Sequence, residues 1–244
     1  MIWWQALVCI SPEAWPIFPG VLNSHMLERS HQIVAIDGPA ASGKSSVARK
    51  LAQRLGFVYV NSGAIYRAIT WHILQKGIDV RDSDRVAQTA EAARITCCLQ
   101  NNESRIFINN VDPSDHLRDD RVNESVSCVS SVPRVRQFVV QKMRECARNH
   151  DLIMEGRDIG SVVFPDTPYK FYVDASVEVR LRRRIAQGQH DVITMRDRAD
   201  SSRPVSPLVI VKDAHVIDTS HLTIEGVVCE IIARLKGMGL QVPA

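Results

Sequence analysis

Apolar and polar positions along most of this chain switch between two periods. Short apolar runs recur at 33–36, 57–60, 152–154, 170–173 and 216–217, each the length of a buried strand. Between them lie helical stripes, such as Val47, Leu51 and Leu55 at i, i+4 and i+8. Ile69, Ile73 and Leu74 continue a second helix up to Gly77, a good C-cap. Ile224, Val227, Val228, Ile231, Ile232 and Leu235 give a terminal helix, and Ser176 is placed to cap one before it. Strands followed by crossover helices predict an α/β fold of three layers: a central parallel sheet with helices on both faces.

The rhythm breaks once. Runs at 95–99 and 105–109, separated by polar residues 100–104, predict a β-hairpin, and two helical segments hinged at Pro133 follow it. Residues 92–132 therefore form an insertion, small antiparallel β plus helical, in a core of residues 32–91 and 133–240. Residues 188–207 are polar, arginine-rich and contain two prolines, which predicts a mobile loop or lid.

Residues 1–31 read differently. Pro12, Pro16 and Pro19 interrupt their apolar run and no basic segment leads it, so this stretch is a poor signal peptide and a poor membrane span. It reads as a disordered leader, with Met26 as an alternative start. Composition is that of a globular protein, 45% apolar and 23% charged. A net charge of +3 gives no case for a nucleic-acid partner, and no membrane partner is expected. The 6 cysteines show no C-x-x-C spacing and read as free thiols of a cytoplasmic protein.

Candidate chemistry sits between the first strand and the first helix. Gly38, Pro39, Ala40, Ala41, Ser42, Gly43, Lys44 and Ser45 fit G-x-x-x-x-G-K-[ST], with Ser46 following. The glycines let successive N–H groups curl around an anion, and the helix start adds its unsatisfied donors. Lys44 supplies a point charge for the β- and γ-phosphates of ATP, and the Ser45 hydroxyl a ligand for Mg²⁺. Kinases, ATPases and GTPases all share this loop. No Asn-Lys pair occurs, which removes the guanine-reading N-K-x-D of GTPases. Arginines at the ends of elements (Arg67, Arg136, Arg157, Arg196, Arg198, Arg203) suit transfer between two phosphate compounds, because guanidinium forks grip phosphate bidentately. On residues alone, other small-molecule P-loop kinases (UMP, AMP or shikimate acceptors) and an ATP-driven switch protein stay open.

GPAASGKSSVARKLA, NSGAIYR, PRVR, EGRDIGSVVFPD and RDRADSSRPVSPL, in this order, resemble the bacterial cytidylate kinase family over about residues 32–238. The resemblance implies a P-loop NTPase fold with an inserted nucleotide-binding subdomain. It also implies a monomeric, Mg²⁺-dependent transfer from ATP to CMP and dCMP. By the same resemblance, Ser62, Arg67, Arg157 and Arg203 bind the acceptor phosphate. Ser127, Arg136 and Asp158 read cytosine, while Asp200, with Arg196 beside it, holds the ribose. Lys44, Arg157, Arg196 and Arg203 are the expected catalytic cations, and Glu155 is expected to help position Mg²⁺ through water. The stretch IAQGQHDVITM is shorter than the family's usual lid. The cluster Arg180, Arg182, Arg183 and Arg184 reads as a solvated helix face, part of which touches the triphosphate.

Overall fold

The P-loop strand β1 (Ile33–Asp37) lies between β5 (Leu152–Gly156) and β6 (Tyr169–Asp174) and runs parallel to both. β2 (Val58–Asn61) flanks β5 and β7 (His215–Asp218) flanks β6, again in parallel. A computed structural model describes residues 31–186, 188 and 193–241; the leader expected over residues 1–31 lies outside them except for His31. The hairpin is β3 (Ile95–Gln100) and β4 (Glu103–Ile108), antiparallel to each other, and β4 joins β2 through the Tyr59–Glu103 pairing. The strand order is β3-β4-β2-β5-β1-β6-β7, so the hairpin extends the main sheet at its edge.

The period of two along the strands sorts side chains between two cores. Val34, Ile36, Ile153 and Phe171 face α1 (Lys44–Leu55) and α8 (Ile224–Gly237), where Leu51, Leu55, Val228 and Ile231 complete one cluster. Ala35, Val60, Leu152 and Met154 face the other side, covered by α2 (Ser62–Gln75), α3 (Ser83–Ala92), α4 (Asp120–Ser131) and α5 (Pro133–Cys146). The three layers expected from the pattern are present. Pro133 occupies the first turn of α5, where its missing N–H leaves no helical bond unmade. Among the described residues no helix is long and apolar enough to cross a membrane, and Cys97, Cys98, Cys128, Cys146 and Cys229 are free thiols.

Two expectations need correction. The segment read as a loop over 188–207 contains a helix, α7 (Ile193–Ser201). Ile193 is fully buried, and Asp197 and Asp200 form ion pairs with arginines, while Pro204 and Pro207 fall beyond the helix end. The arginine-rich helix, α6 (Val177–Ala186), is not uniformly solvated: Arg180 is buried and Arg183 is half-buried. Both guanidiniums satisfy backbone carbonyls of the P-loop, a demand that a helical periodicity count does not register.

Candidate active site

The carboxyl ends of the parallel strands deliver the functional side chains to one region, as in open α/β sheets generally. After β1 the backbone turns at Gly38. A Cβ there would meet the Val173 carbonyl oxygen at 2.1 Å, so only glycine lets the loop pass this close to β6. The loop ends at Gly43, in the left-handed region at φ 93°, which caps α1. Lys44 is buried, and its Nζ donates to the Pro39 carbonyl at 2.9 Å, folding the side chain back over the loop. Neighbouring elements fix the loop from outside. Arg183 donates to the Ser42 carbonyl at 3.2 Å, and the buried Thr219, just past β7, donates to the same oxygen at 2.8 Å. Arg180 donates to the Ala40 carbonyl at 3.2 Å and pairs with Asp197 of α7, which accepts from the Ala40 N–H at 3.1 Å. Pro39, Ala41 and Ser46 complete the loop, Ser46 being exposed, and the Ser42 hydroxyl is buried without a partner among the described residues.

Register explains the next contact. Glu155 pairs with Ile36 across β1 and with Asn61 across β2, so its carboxylate emerges beside the start of α1. It accepts from Ser45 Oγ at 2.8 Å and from the Tyr59 hydroxyl at 3.4 Å. A hydroxyl and a carboxylate at the mouth of a P-loop suit a small, hard cation that takes oxygen ligands. Among the described residues no group of three or more His, Cys, Asp or Glu could hold a metal alone, so phosphate and water oxygens would have to complete the shell.

The half expected to take the acceptor is built from buried ion pairs. Arg136 on α5 is 2% exposed; it pairs with Asp158, which follows β5, and donates to the Ser130 carbonyl at 3.1 Å. Arg157 Nε donates to Asp200 Oδ2 at 2.8 Å, and Arg203 pairs with the other oxygen of the same carboxylate. Burial, and then the like charge of Arg136, bring the Arg203 pKa down to about 10, still charged at neutral pH. Three guanidiniums therefore share two carboxylates in a dry setting, which favours an added anion. Ser62, at the start of α2, donates to the Glu155 carbonyl at 2.8 Å. Gly156 makes room for it, since a Cβ there would sit 2.5 Å from Ser62 Oγ.

Arg67 lies one helical turn further along α2 and donates to the Leu117 carbonyl at 2.9 Å and to Asn123 Oδ1 at 2.6 Å, on the α4 side of the site. Ser127, on α4, is half-buried; its carbonyl accepts the Ser130 hydroxyl at 3.2 Å. Arg196 falls within α7, but its side chain lies outside the described residues. The structure thus brings together Arg136, Arg157, Asp158, Asp200 and Arg203, and sets Ser62, Ser45 and Glu155 against the P-loop side. Arg67 and Ser127 line the flank formed by α4.

Four residues that received no role from the sequence belong to this framework: Asp37, Tyr66, Asp197 and Thr219. Asp37, at the end of β1, accepts the Ile159 N–H at 2.9 Å and the Gly160 N–H at 2.8 Å, tying the P-loop strand to the turn after Asp158. Burial raises its pKa to about 6 against those two stabilising bonds. A carboxylate closing an otherwise apolar strand was the available signal. The Tyr66 ring lies under Arg136, with Cζ 5.4 Å from its centroid.

Comparison with known proteins agrees with this geometry. The cytidylate kinase family model matches residues 34–237. A cytidylate kinase of Caldanaerobacter subterraneus subsp. tengcongensis is 41% identical over 214 residues, covering 83% of this chain and 94% of that protein. Cytidylate kinases of Oceanobacillus iheyensis and Mycobacterium avium are 42% and 43% identical, over 82% and 78% of this chain and 91% and 89% of theirs. With the P-loop, the arginine cluster and the family match all falling on the same stretch, the chain belongs to the cytidylate kinase family.

Proposed function

We propose that this protein transfers the γ-phosphoryl group of ATP to CMP, and to dCMP, giving ADP and the cytidine diphosphate. One observation carries the reading: the buried Arg136–Asp158 pair sits beside the Arg157–Asp200–Arg203 cluster, at the strand ends that also carry the P-loop. A CMP phosphate is already an anion that can attack, so the reaction needs alignment and charge neutralisation more than a strong base. Lys44 and the P-loop N–H groups hold the donor phosphates. Ser62, Arg67, Arg157 and Arg203 take the acceptor phosphate, and Arg157 and Arg203 are positioned to balance charge on the moving group. By the family resemblance, Arg196 would serve beside them as catalytic cation and ribose neighbour.

Base choice follows from polarity. Cytosine offers an exocyclic amine donor beside N3 and O2 acceptors, which a carboxylate and a guanidinium complement. Asp158 accepts from the amine, Arg136 donates to the acceptors, and Ser127 adds a further polar contact. Uracil would set a carbonyl against Asp158 and leave both unpaired in a dry pocket. Asp200 holds the ribose. Ser45, with Glu155 acting through water, would hold Mg²⁺, which would supply positive charge to offset that of the donor phosphates. Residues 92–132 serve as the acceptor-binding insertion of a monomeric cytoplasmic enzyme, with a lid over 188–207.

An acceptor screen tests this reading. Purified protein with ATP and Mg²⁺ is given CMP, dCMP, UMP, AMP or shikimate, and ADP formation is followed. Turnover stimulated by cytidine nucleotides over the others is expected; no such preference overturns the proposal.

A further inference from the structure

The side of α2 that faces the acceptor half carries Ser62 and, one turn later, Tyr66. Ser62 is satisfied by the Glu155 carbonyl. Tyr66 is not satisfied at its polar end: the residue is 7% exposed, yet its hydroxyl has no partner among the described residues. Arg136, whose guanidinium lies over the Tyr66 ring, leaves its Nε–H in the same condition. Two buried donor groups on side chains stacked against one another, neither with a partner, are unusual in a folded protein. Burial holds the phenol protonated, so its proton is available to donate, and the Arg136 Nε–H can only donate; the charges of Arg136, Asp158 and Arg203 are those that reach the phenol. The missing group is thus rich in acceptor atoms and belongs among those three side chains.

We infer that Tyr66 is a substrate-binding and specificity-determining residue: its hydroxyl donates to an acceptor atom of the nucleoside monophosphate held by Arg136, Asp158 and Arg203, while its ring packs under the Arg136 guanidinium. This rests on the acceptor-site reading given above. It adds a residue from α2 to the recognition of the acceptor. It also makes the hydroxyl a group that gains its bond only when ligand arrives, so its value appears in binding and not in the stability of the free protein.

Tyr66→Phe separates these possibilities because it keeps the ring over Arg136 and removes only the orphan hydroxyl. CMP and ATP affinities are measured by calorimetry on both proteins, with the thermal midpoint recorded in the absence of nucleotide. The expected result is about a tenfold weaker CMP affinity, ATP affinity unchanged within twofold, and a midpoint unchanged or raised. CMP affinity unchanged within twofold overturns the inference, as does equal weakening for ATP. A lowered midpoint with intact CMP binding, or loss of the cooperative melt, makes the hydroxyl structural and equally overturns it. Wild-type protein that fails to bind CMP would overturn the acceptor-site reading itself, a result distinct from any difference between the two proteins.

Discussion

At the residue scale, Asp158 and Asp37 show two opposite uses of a buried carboxylate. Asp158 is paired with Arg136, both nearly inaccessible, so neither charge can be removed cheaply. Asp158→Asn keeps the volume and lets the amide turn its N–H₂ toward a carbonyl. The preference for CMP over UMP, taken as the ratio of kcat/KM values, should fall at least tenfold; an unchanged ratio would mean that Asp158 only orients Arg136. Among the described residues Asp37 forms no ion pair, and burial is the largest influence on it, with a pKa of about 6. The folded state therefore binds this proton more tightly than the unfolded chain, whose pKa is near 3.8. Stability from this group is present below that lower value and is lost as pH rises through about 6. Over that window the wild type should lose about 3 kcal/mol relative to Asp37→Asn. Denaturant melts of both proteins between pH 4 and 7 measure the difference, and parallel curves would contradict it.

At the element scale, α7 is held by its charges more than by its apolar residues. Asp197 joins it to Arg180 and to the P-loop at Ala40, and Asp200 joins it to Arg157 and Arg203. One short helix thereby touches both halves of the site. Asp197→Ala leaves Arg180 buried without its carboxylate, a loss of about 3 kcal/mol in the contacts anchoring the helix. Amide exchange over residues 193–201 should speed up at least tenfold, with a rise in the KM for CMP because Asp200 rides on the same helix. Hydrogen-exchange mass spectrometry reads the first effect directly, and unchanged protection would place the anchor elsewhere. The hairpin β3–β4 and α4 show a related point. They are joined to the sheet at β2 and to Arg67 through Leu117 and Asn123, so the insertion shares its support with the core.

At the scale of the whole molecule, the proposed acceptor site draws on α2, β5, α5 and α7, which are far apart in sequence and meet at one end of the sheet. A ligand that bridges them stabilises the fold as a unit. CMP at about a hundred times its dissociation constant should add about 2.7 kcal/mol and raise the thermal midpoint by about 5–10 °C for a protein of this size. UMP at the same concentration should give a much smaller shift, and scanning fluorimetry with both nucleotides checks the difference.

Some of this was legible without coordinates, because local order leaves local traces. The strand–loop–helix of the P-loop, the two periodicities and the punctuating glycines follow from backbone sterics and from the burial of one face per element. The hairpin was readable for the same reason. Arg136 and Asp158 could be picked out only through a family pattern, since nothing in their own neighbourhoods says that they are buried against each other. Asp37 and Thr219 lay outside those patterns, Tyr66 and Asp197 lay inside them with no role attached, and α7 was hidden in a stretch whose composition reads as loop. The sequence by itself determined most of the elements and the phosphate cradle, since these depend on residues adjacent along the chain. Tertiary structure alone decided which arginine meets which carboxylate, and which buried donors are left waiting for a partner. Those facts depend on where sequence-distant groups are brought out of water together, and desolvation is a property of the packed whole.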